Sequence, residues 1–103
     1  MCYDSSVRAV VFTADAVRQF KRLPKGTRPF IKAAIQTHLI KEDPTATTRA
    51  KHRLRRLSKH ADYELRAGDW RVFYRVEGAR VTITLLGEKR GARLVVEGEE
   101  LKL

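Results

Sequence analysis

The stretch Tyr63–Leu86, YELRAGDWRVFYRVEGARVTITLL, decides the fold because apolar and polar side chains alternate along most of it. Such alternation is the signature of a half-buried β-strand. Gly68-Asp69 and Gly78-Ala79 stand where hairpin turns are needed. We therefore predict a meander of three antiparallel strands with one apolar face. That face is formed by Tyr63, Leu65, Val72, Tyr74, Val76, Val81, Ile83 and Leu85.

Two helices upstream of this stretch can cover the apolar face. Thr13 offers an N-cap to a first helix, and the apolar spacing predicts a second helix from about Thr27 to Lys41. Residues 7–12 are rich in valine and predict a strand ahead of both helices. The predicted fold is α+β in the order β-α-α-β-β-β, a helix hairpin packed on one face of a small antiparallel sheet.

Length and composition limit the class of protein. The 103 residues make one domain, with mobile ends expected at 1–6 and about 97–103, and Leu94–Val96 is a candidate for a short edge strand. No apolar run approaches the ~18 residues of a membrane helix, and the first ten residues contain no signal-peptide core. Cys2 is the only cysteine, which favours the reducing cytoplasm.

The charge balance indicates an anionic partner. The 22 Lys and Arg against 12 Asp and Glu give a net charge of +10, an excess that favours nucleic acid, an acidic protein or an anionic membrane surface. No acid occurs between Asp43 and Asp62, a segment that carries Lys51, Arg53 and Arg55. We predict that these three bind RNA; the alternative is a charged surface that serves only solubility.

The second face of the predicted sheet is rich in arginine. Turn geometry puts Arg66 opposite Arg71, and two like charges opposed across a ladder destabilise it unless an anion binds there. Phe73 between the arginines offers a surface on which a base could stack. The alternative is a solvated face on which the acids pair with neighbouring arginines. The predicted set is Glu64, Arg66, Arg71, Phe73, Arg75, Thr82, Thr84, Leu86, Glu88 and Arg90.

The segment Tyr63–Arg75 resembles the central hairpin of the RelE/ParE superfamily of toxins, and Gly87-Glu88-Lys89-Arg90 looks like the end of their last strand. The resemblance implies a toxin of a toxin–antitoxin module, held in check by an acidic, partly disordered antitoxin that folds onto it. RelE-like members are metal-independent endoribonucleases that cut messenger RNA, commonly on the ribosome. ParE-like members share the scaffold and inhibit DNA gyrase without enzymatic activity.

The resemblance also implies roles for single residues. Arg71 and Arg90 match arginines that contact the scissile phosphate in ribonuclease members. Asp62 and Glu64 stand where some members place lysines, and Val96 stands near where they place a tyrosine. These departures keep three hypotheses open: an endoribonuclease, a gyrase inhibitor, and an inactive toxin-fold protein that only binds partners.

Metal-free RNA cleavage needs a base for the 2′-OH proton and cations for the phosphorane. We assign the cationic role to Arg71, Arg90 and Arg66, and Glu64 is one candidate base. His52 and His60 are others, whereas His38 lies on the apolar stripe of the second helix. No metal site or cofactor is predicted, because the histidines and the cysteine lack ligand spacing, and no membrane partner is expected. The predicted RNA-binding residues are Lys51, Arg53, Arg55, Phe73, Arg75, Lys89 and Arg93.

Overall fold

A computed structural model describes residues 9–54 and 61–101. Across these two segments the chain forms a strand, a pair of helices and then a run of six further strands, which confirms the predicted α+β class and enlarges the predicted sheet. The bounds are β1 Ala9–Phe12, α1 Ala14–Lys21, α2 Thr27–Ile35 with a π-helical continuation Gln36–Lys41, β2 Lys51–Arg53, β3 Tyr63–Ala67, β4 Trp70–Glu77, β5 Arg80–Arg90, β6 Arg93–Val96 and β7 Glu99–Leu101.

The strands form one sheet in the order β2-β3-β4-β5-β6-β7, and each neighbouring pair on this path is antiparallel. The first strand lies off this path and pairs in parallel with the first half of β5, where Ala9 is opposite Arg80 and Phe12 is opposite Ile83. The connection between these two parallel strands is long, as such a pairing requires, and runs through the helix pair and strands β2 to β4. The predicted antiparallel meander is confirmed, and β1 adds one parallel pairing at β5.

One extra residue in β5 changes which side chains share a face. Phe73 of β4 pairs with Leu85, but the next residue, Tyr74, pairs with Ile83, so Thr84 is left over as a β-bulge. Because side chains alternate with a period of two, a one-residue shift exchanges the faces of all residues beyond it. Leu86 therefore joins the main core and Leu85 leaves it, the reverse of the prediction.

The main core lies between the helices and the sheet. The predicted alternation is confirmed up to the bulge, since Leu65, Val72, Val81 and Ile83 are all fully buried there. Tyr74 belongs to the same core, and its hydroxyl donates a 2.6 Å hydrogen bond to the carbonyl of Pro44. Burial raises the pKa of Tyr74, so this hydroxyl stays protonated and keeps its donor.

A second core covers part of the opposite face. Phe73 and Leu85 are buried there together with Ala61, and partly buried Leu54, Leu94 and Val96 pack against them. Leu94 and Val96 come from β6 and Leu54 directly follows β2, and neither segment was predicted to cover this face. The face consequently has an apolar part towards the β6 end of the sheet and a charged part towards the β2 end.

The segment between the π-helical continuation and β2 is tied down by Lys51. Its side chain is fully buried, and its Nζ donates hydrogen bonds to the carbonyls of His38 (2.8 Å) and Asp43 (2.9 Å) and to a carboxylate oxygen of Glu42 (3.0 Å). The hydrogen bond from Lys51, with a second contact from His38, holds the pKa of Glu42 below its usual range. Lys51 therefore lies away from any RNA-accessible surface, contrary to the prediction.

The C-terminal hairpin packs back on the first helix. Its turn contains Glu97, at a φ of +53°, followed by Gly98. Nε and Nη2 of Arg18 on α1 donate to the two carboxylate oxygens of Glu97 at 3.0 and 3.2 Å. This contact holds the pKa of Glu97 below its usual range. We expected a mobile end at about residues 97–103. Residues 97–101 instead form a turn and a paired strand.

Candidate active site on the arginine face

Four polar side chains from three adjacent strands meet on the sheet face away from the helices. Ladder partners share a face: His52 of β2 is opposite Glu64 of β3, and Arg66 of β3 is opposite Arg71 of β4. The predicted opposition of the two arginines is confirmed. We call the charged part of this face, defined by these four residues, the arginine face.

Glu64 is the centre of the group. Its Oε1 lies 3.1 Å from Nε2 of His52 and 3.7 Å from Nε of Arg66, and its Oε2 lies 3.9 Å from Nε of Arg71. The carboxylate is only 16% exposed, whereas the imidazole is 34% exposed. In the tautomer in which Nε2 carries the proton and donates to Glu64, this hydrogen bond orients the ring and Nδ1 has the lone pair that can accept a proton.

The two arginines differ in how much of their guanidinium can reach a ligand. Arg66 is 51% exposed and Arg71 is 11% exposed. Nη1 of Arg71 donates to the carbonyls of Gly68 (2.8 Å) and Trp70 (2.9 Å), so it holds the β3–β4 turn. Gly68 takes a φ of +62°, a value that glycine adopts without strain. Arg71 is therefore a fixed charge behind the site, and Arg66 is the more accessible cation.

Phe73 does not offer a stacking surface, contrary to the prediction. It points to the expected face but is 1% exposed within the second core. Arg75 follows on the same face, opposite Thr82, and is half-buried. Phe73 is therefore not available for stacking with a base.

The bulge separates Arg90 from Arg71, although the sequence placed both on one face. Arg90 lines a cleft on the helix side of the sheet together with Gln19, Arg22 and Trp70. Its Nε lies 2.9 Å from Oε1 of Glu88. The second arginine on the face of Arg71 is therefore Arg66 rather than Arg90.

The remaining predicted cations are distributed over both faces. Lys89 is exposed on the face of Arg71, opposite Leu94. Arg93 is opposite Arg90 and lies 3.9 Å from Glu100. Arg53 is exposed, with its guanidinium 5.7 Å from the ring centroid of Tyr63. Arg55 and His60 lie outside the described residues.

His38, predicted to be a satisfied buried side chain, is half-buried, and its Nδ1 lies 3.1 Å from Glu42.

Within residues 9–54 and 61–101, no group of three or more His, Cys, Asp or Glu could hold a metal ion. No helix in the described segments is long and apolar enough to cross a membrane. Arg49 begins the basic segment 49–59, which we expect to contribute affinity for RNA, and it lies beside His52 and Arg66 in a cleft. No signal in the sequence indicated that Arg49 would join these two residues.

Two solved structures share this architecture. The toxin–antitoxin complex RelBE2 from Mycobacterium tuberculosis contains a chain that matches with a TM-score of 0.66 and 24% sequence identity, over 81% of this chain and 92% of that one. The archaeal RelE–RelB complex from Pyrococcus horikoshii OT3 matches with a TM-score of 0.62 and 22% identity, over 84% of this chain and 98% of that one. No protein-family model and no curated protein sequence matches the chain. The fold expected from the Tyr63–Arg75 hairpin, that of the RelE-like toxins, is confirmed.

Proposed function

We propose that this protein is the toxin of a toxin–antitoxin pair and that it acts by cutting RNA on the arginine face. The observation that carries the proposal is the contact between His52 and Glu64, at 3.1 Å, with the guanidinium of Arg66 3.7 Å from the same carboxylate oxygen. It places a group able to accept a proton next to an accessible cation that can bind phosphate.

In the proposed step, Nδ1 of His52 takes the proton of an RNA 2′-OH while Nε2–H stays bonded to Glu64. The 2′-oxygen attacks the adjacent phosphorus, the bond to the 5′-oxygen breaks, and that oxygen takes a proton from solvent. The products are a 2′,3′-cyclic phosphate and a 5′-hydroxyl end. General base catalysis of this kind contributes about 10²- to 10⁴-fold to the rate.

Arg66 supplies the charge that the phosphorane needs. A guanidinium stays protonated and donates two parallel hydrogen bonds to phosphate oxygens. Arg71 adds a fixed positive charge nearby, and its bonds to the turn carbonyls keep it in place without reorganisation. Arg90 belongs to the other side of the sheet, so we propose no contact between it and the scissile phosphate.

The proposed partner is an acidic antitoxin. One of the similar structures described above is a toxin–antitoxin complex and the other is a RelE–RelB complex. A chain of net charge +10 also has an electrostatic reason to bind an acidic protein. A partly disordered segment that folds on binding could cover a wide area of such a surface. Messenger RNA, free or on the ribosome, is the proposed target.

The test is to induce the protein briefly in cells and to map the 5′ ends of total RNA. We expect growth arrest and new RNA ends with the wild type. His52→Gln should lose both, since the amide cannot accept the proton. His38→Gln is the matched control, because it makes the same change on a helix, and it should keep both activities.

Two results would overturn the proposal. One is intact RNA with induction of the DNA-damage response, which would point to gyrase. The other is full cleavage by His52→Gln at equal expression and equal melting temperature.

A further inference from the structure

A cleft beside the proposed reaction centre gathers three arginines. It is lined by Thr48, Arg49, His52, Arg53 and Arg66, and we call it the arginine cleft. No carboxylate is among these lining residues. His52 and Arg66 belong both to this cleft and to the group around Glu64, so the cleft is continuous with the proposed site.

The wall that carries Arg49 is held rigidly. Oγ1 of Thr48 accepts hydrogen bonds from the backbone N–H groups of Ala50 and Lys51, both at 3.1 Å, and the Thr48 N–H donates to the Lys51 carbonyl at 2.8 Å. The Arg66 N–H donates to the Ala50 carbonyl at 2.6 Å, which ties this turn to β3. The buried ammonium of Lys51 fixes the same turn from behind. The turn therefore presents Arg49 in a set position.

The arginines are arranged for a ligand of opposite charge. Arg49, Arg53 and Arg66 are all exposed, and Arg53 is steadied by the Tyr63 ring, 5.7 Å away. Bringing three arginines to one cleft raises the energy of the free protein. Glu64, 3.7 Å from Arg66, offsets part of this charge, and a bound anion would offset more. Guanidinium groups match the oxygens of phosphate in a two-pronged geometry.

We infer that the arginine cleft binds a backbone phosphate of RNA next to the one that is cut. This inference rests on the proposed function, since it takes the group around Glu64 as the reaction centre. Arg49 and Arg53 are its specific contacts, and Arg66 contributes to both positions. The contact is to the sugar–phosphate chain, so it supplies affinity and register without reading the base.

The test measures binding of an RNA oligonucleotide that carries a 2′-O-methyl group at every position and so cannot be cut through its 2′-OH. Fluorescence anisotropy between about 50 and 200 mM salt gives Kd and its salt dependence. The double variant Arg49→Gln/Arg53→Gln should lower the slope of log K against log salt by about 1.4, at ~0.7 per lost contact on a single strand. We expect its Kd to rise at least about tenfold at the lower salt, as the loss of charge-assisted hydrogen bonds predicts.

A double variant of equal charge change serves as the control. Lys25 and Lys32 are exposed on the helix pair, and Lys25→Gln/Lys32→Gln should change the slope by less than half as much. The inference is overturned if the two double variants weaken binding equally. Arg49→Lys/Arg53→Lys should keep the wild-type slope but raise Kd severalfold, because lysine keeps the charge and loses the two-pronged contact.

Failure of this inference can be told from failure of the proposed function. A wild type that cuts ordinary RNA, together with an unchanged slope in the Arg49→Gln/Arg53→Gln variant, removes only the phosphate subsite. A wild type that binds the methylated RNA with the expected slope but never cuts ordinary RNA removes the proposed function. If the variant escapes the antitoxin while its RNA slope is unchanged, the cleft serves an acidic protein and the inference is wrong.

Discussion

Replacing Lys51 by methionine tests the buried anchor that the structure assigns to this residue. The ammonium makes three hydrogen bonds, to two backbone carbonyls and to the carboxylate of Glu42, and its side chain has no exposed surface. Methionine fills a similar volume but cannot donate. The carbonyls of His38 and Asp43 then lose a charged donor in a partly buried setting.

The expected loss of stability follows from these contacts. A hydrogen bond to a charged group is worth about 1.5–3 kcal/mol, and removing one partner from a buried polar group costs about 1–3 kcal/mol per group left unpaired. The two carbonyls thus set a cost of roughly 2–6 kcal/mol. Burial of an apolar side chain in place of a desolvated ammonium offsets part of it, so we expect about 3 kcal/mol, or a fall in Tm of roughly 12–24 °C for a domain of this size.

Thermal unfolding followed by circular dichroism at neutral pH measures the effect. Lys41→Met is the matched control. Lys41 is exposed at the end of the π-helical segment that also contains His38, and its replacement should lower the free energy of unfolding by less than about 0.5 kcal/mol. The reasoning is refuted if Lys51→Met melts within about 3 °C of the control. A loss of RNA affinity by folded Lys51→Met that exceeds that of the Arg49→Gln/Arg53→Gln variant would also contradict the buried placement.

Two further predictions concern pH and packing. The lowered pKa of Glu42 means that its ionised form adds stability above about pH 4.5, its ordinary pKa, and that this stability is lost as pH falls through the lowered pKa. Glu42→Gln should therefore be less stable than wild type at pH 7 and should lose less stability than wild type towards pH ~3. Parallel plots of melting temperature against pH for the two proteins would contradict this. At Gly87, a Cβ would lie 2.9 Å from side-chain atoms of Leu94 and Val96 and 3.0 Å from the Val95 carbonyl, so Gly87→Ala should cost about 1–3 kcal/mol in urea unfolding. Gly26→Ala, which meets nothing within 4 Å, should cost less, and equal midpoints would contradict the packing.

The sequence was sufficient for the architecture where local signals act alone. Thr13 caps α1 as predicted, with its Oγ1 accepting from the Ala16 N–H at 3.2 Å. The alternation of Leu65, Val72 and Ile83 correctly gave the helix-facing side of three strands. These features depend on residues a few positions apart, and their patterns can be read without knowing what packs against them.

The position of Arg90 was mispredicted because a β-bulge leaves little trace in composition. Thr84 stands in a run of good strand formers, and neither glycine nor proline marks the extra residue. Alternation was therefore continued through Thr84 into the end of β5, which reversed the faces of Leu85, Leu86 and Arg90. The pairing register with β4 is a long-range property and decided the outcome.

Lys51 and Phe73 were mispredicted for a different reason. The type of each residue suggested a role that its surroundings overrode. Lysine is rarely buried, but two backbone carbonyls and the carboxylate of Glu42 satisfy all three donors of Lys51. Phe73 lies on the face that was predicted to bind RNA, and the packing of Leu94 and Val96 from β6 against its cluster covers it.

The central claim is that His52 and Glu64 activate a 2′-OH on RNA, and the end groups of the products test it most directly. Purified protein would be added to a reconstituted translation reaction with a labelled message, once with ordinary nucleotides and once with 2′-deoxy nucleotides at the cleaved positions. The account predicts 2′,3′-cyclic phosphate ends from the first message, no cleavage of the second, and a rate at least about 100-fold lower for His52→Gln. Equal cleavage of both messages, or a wild-type rate for His52→Gln, would contradict it.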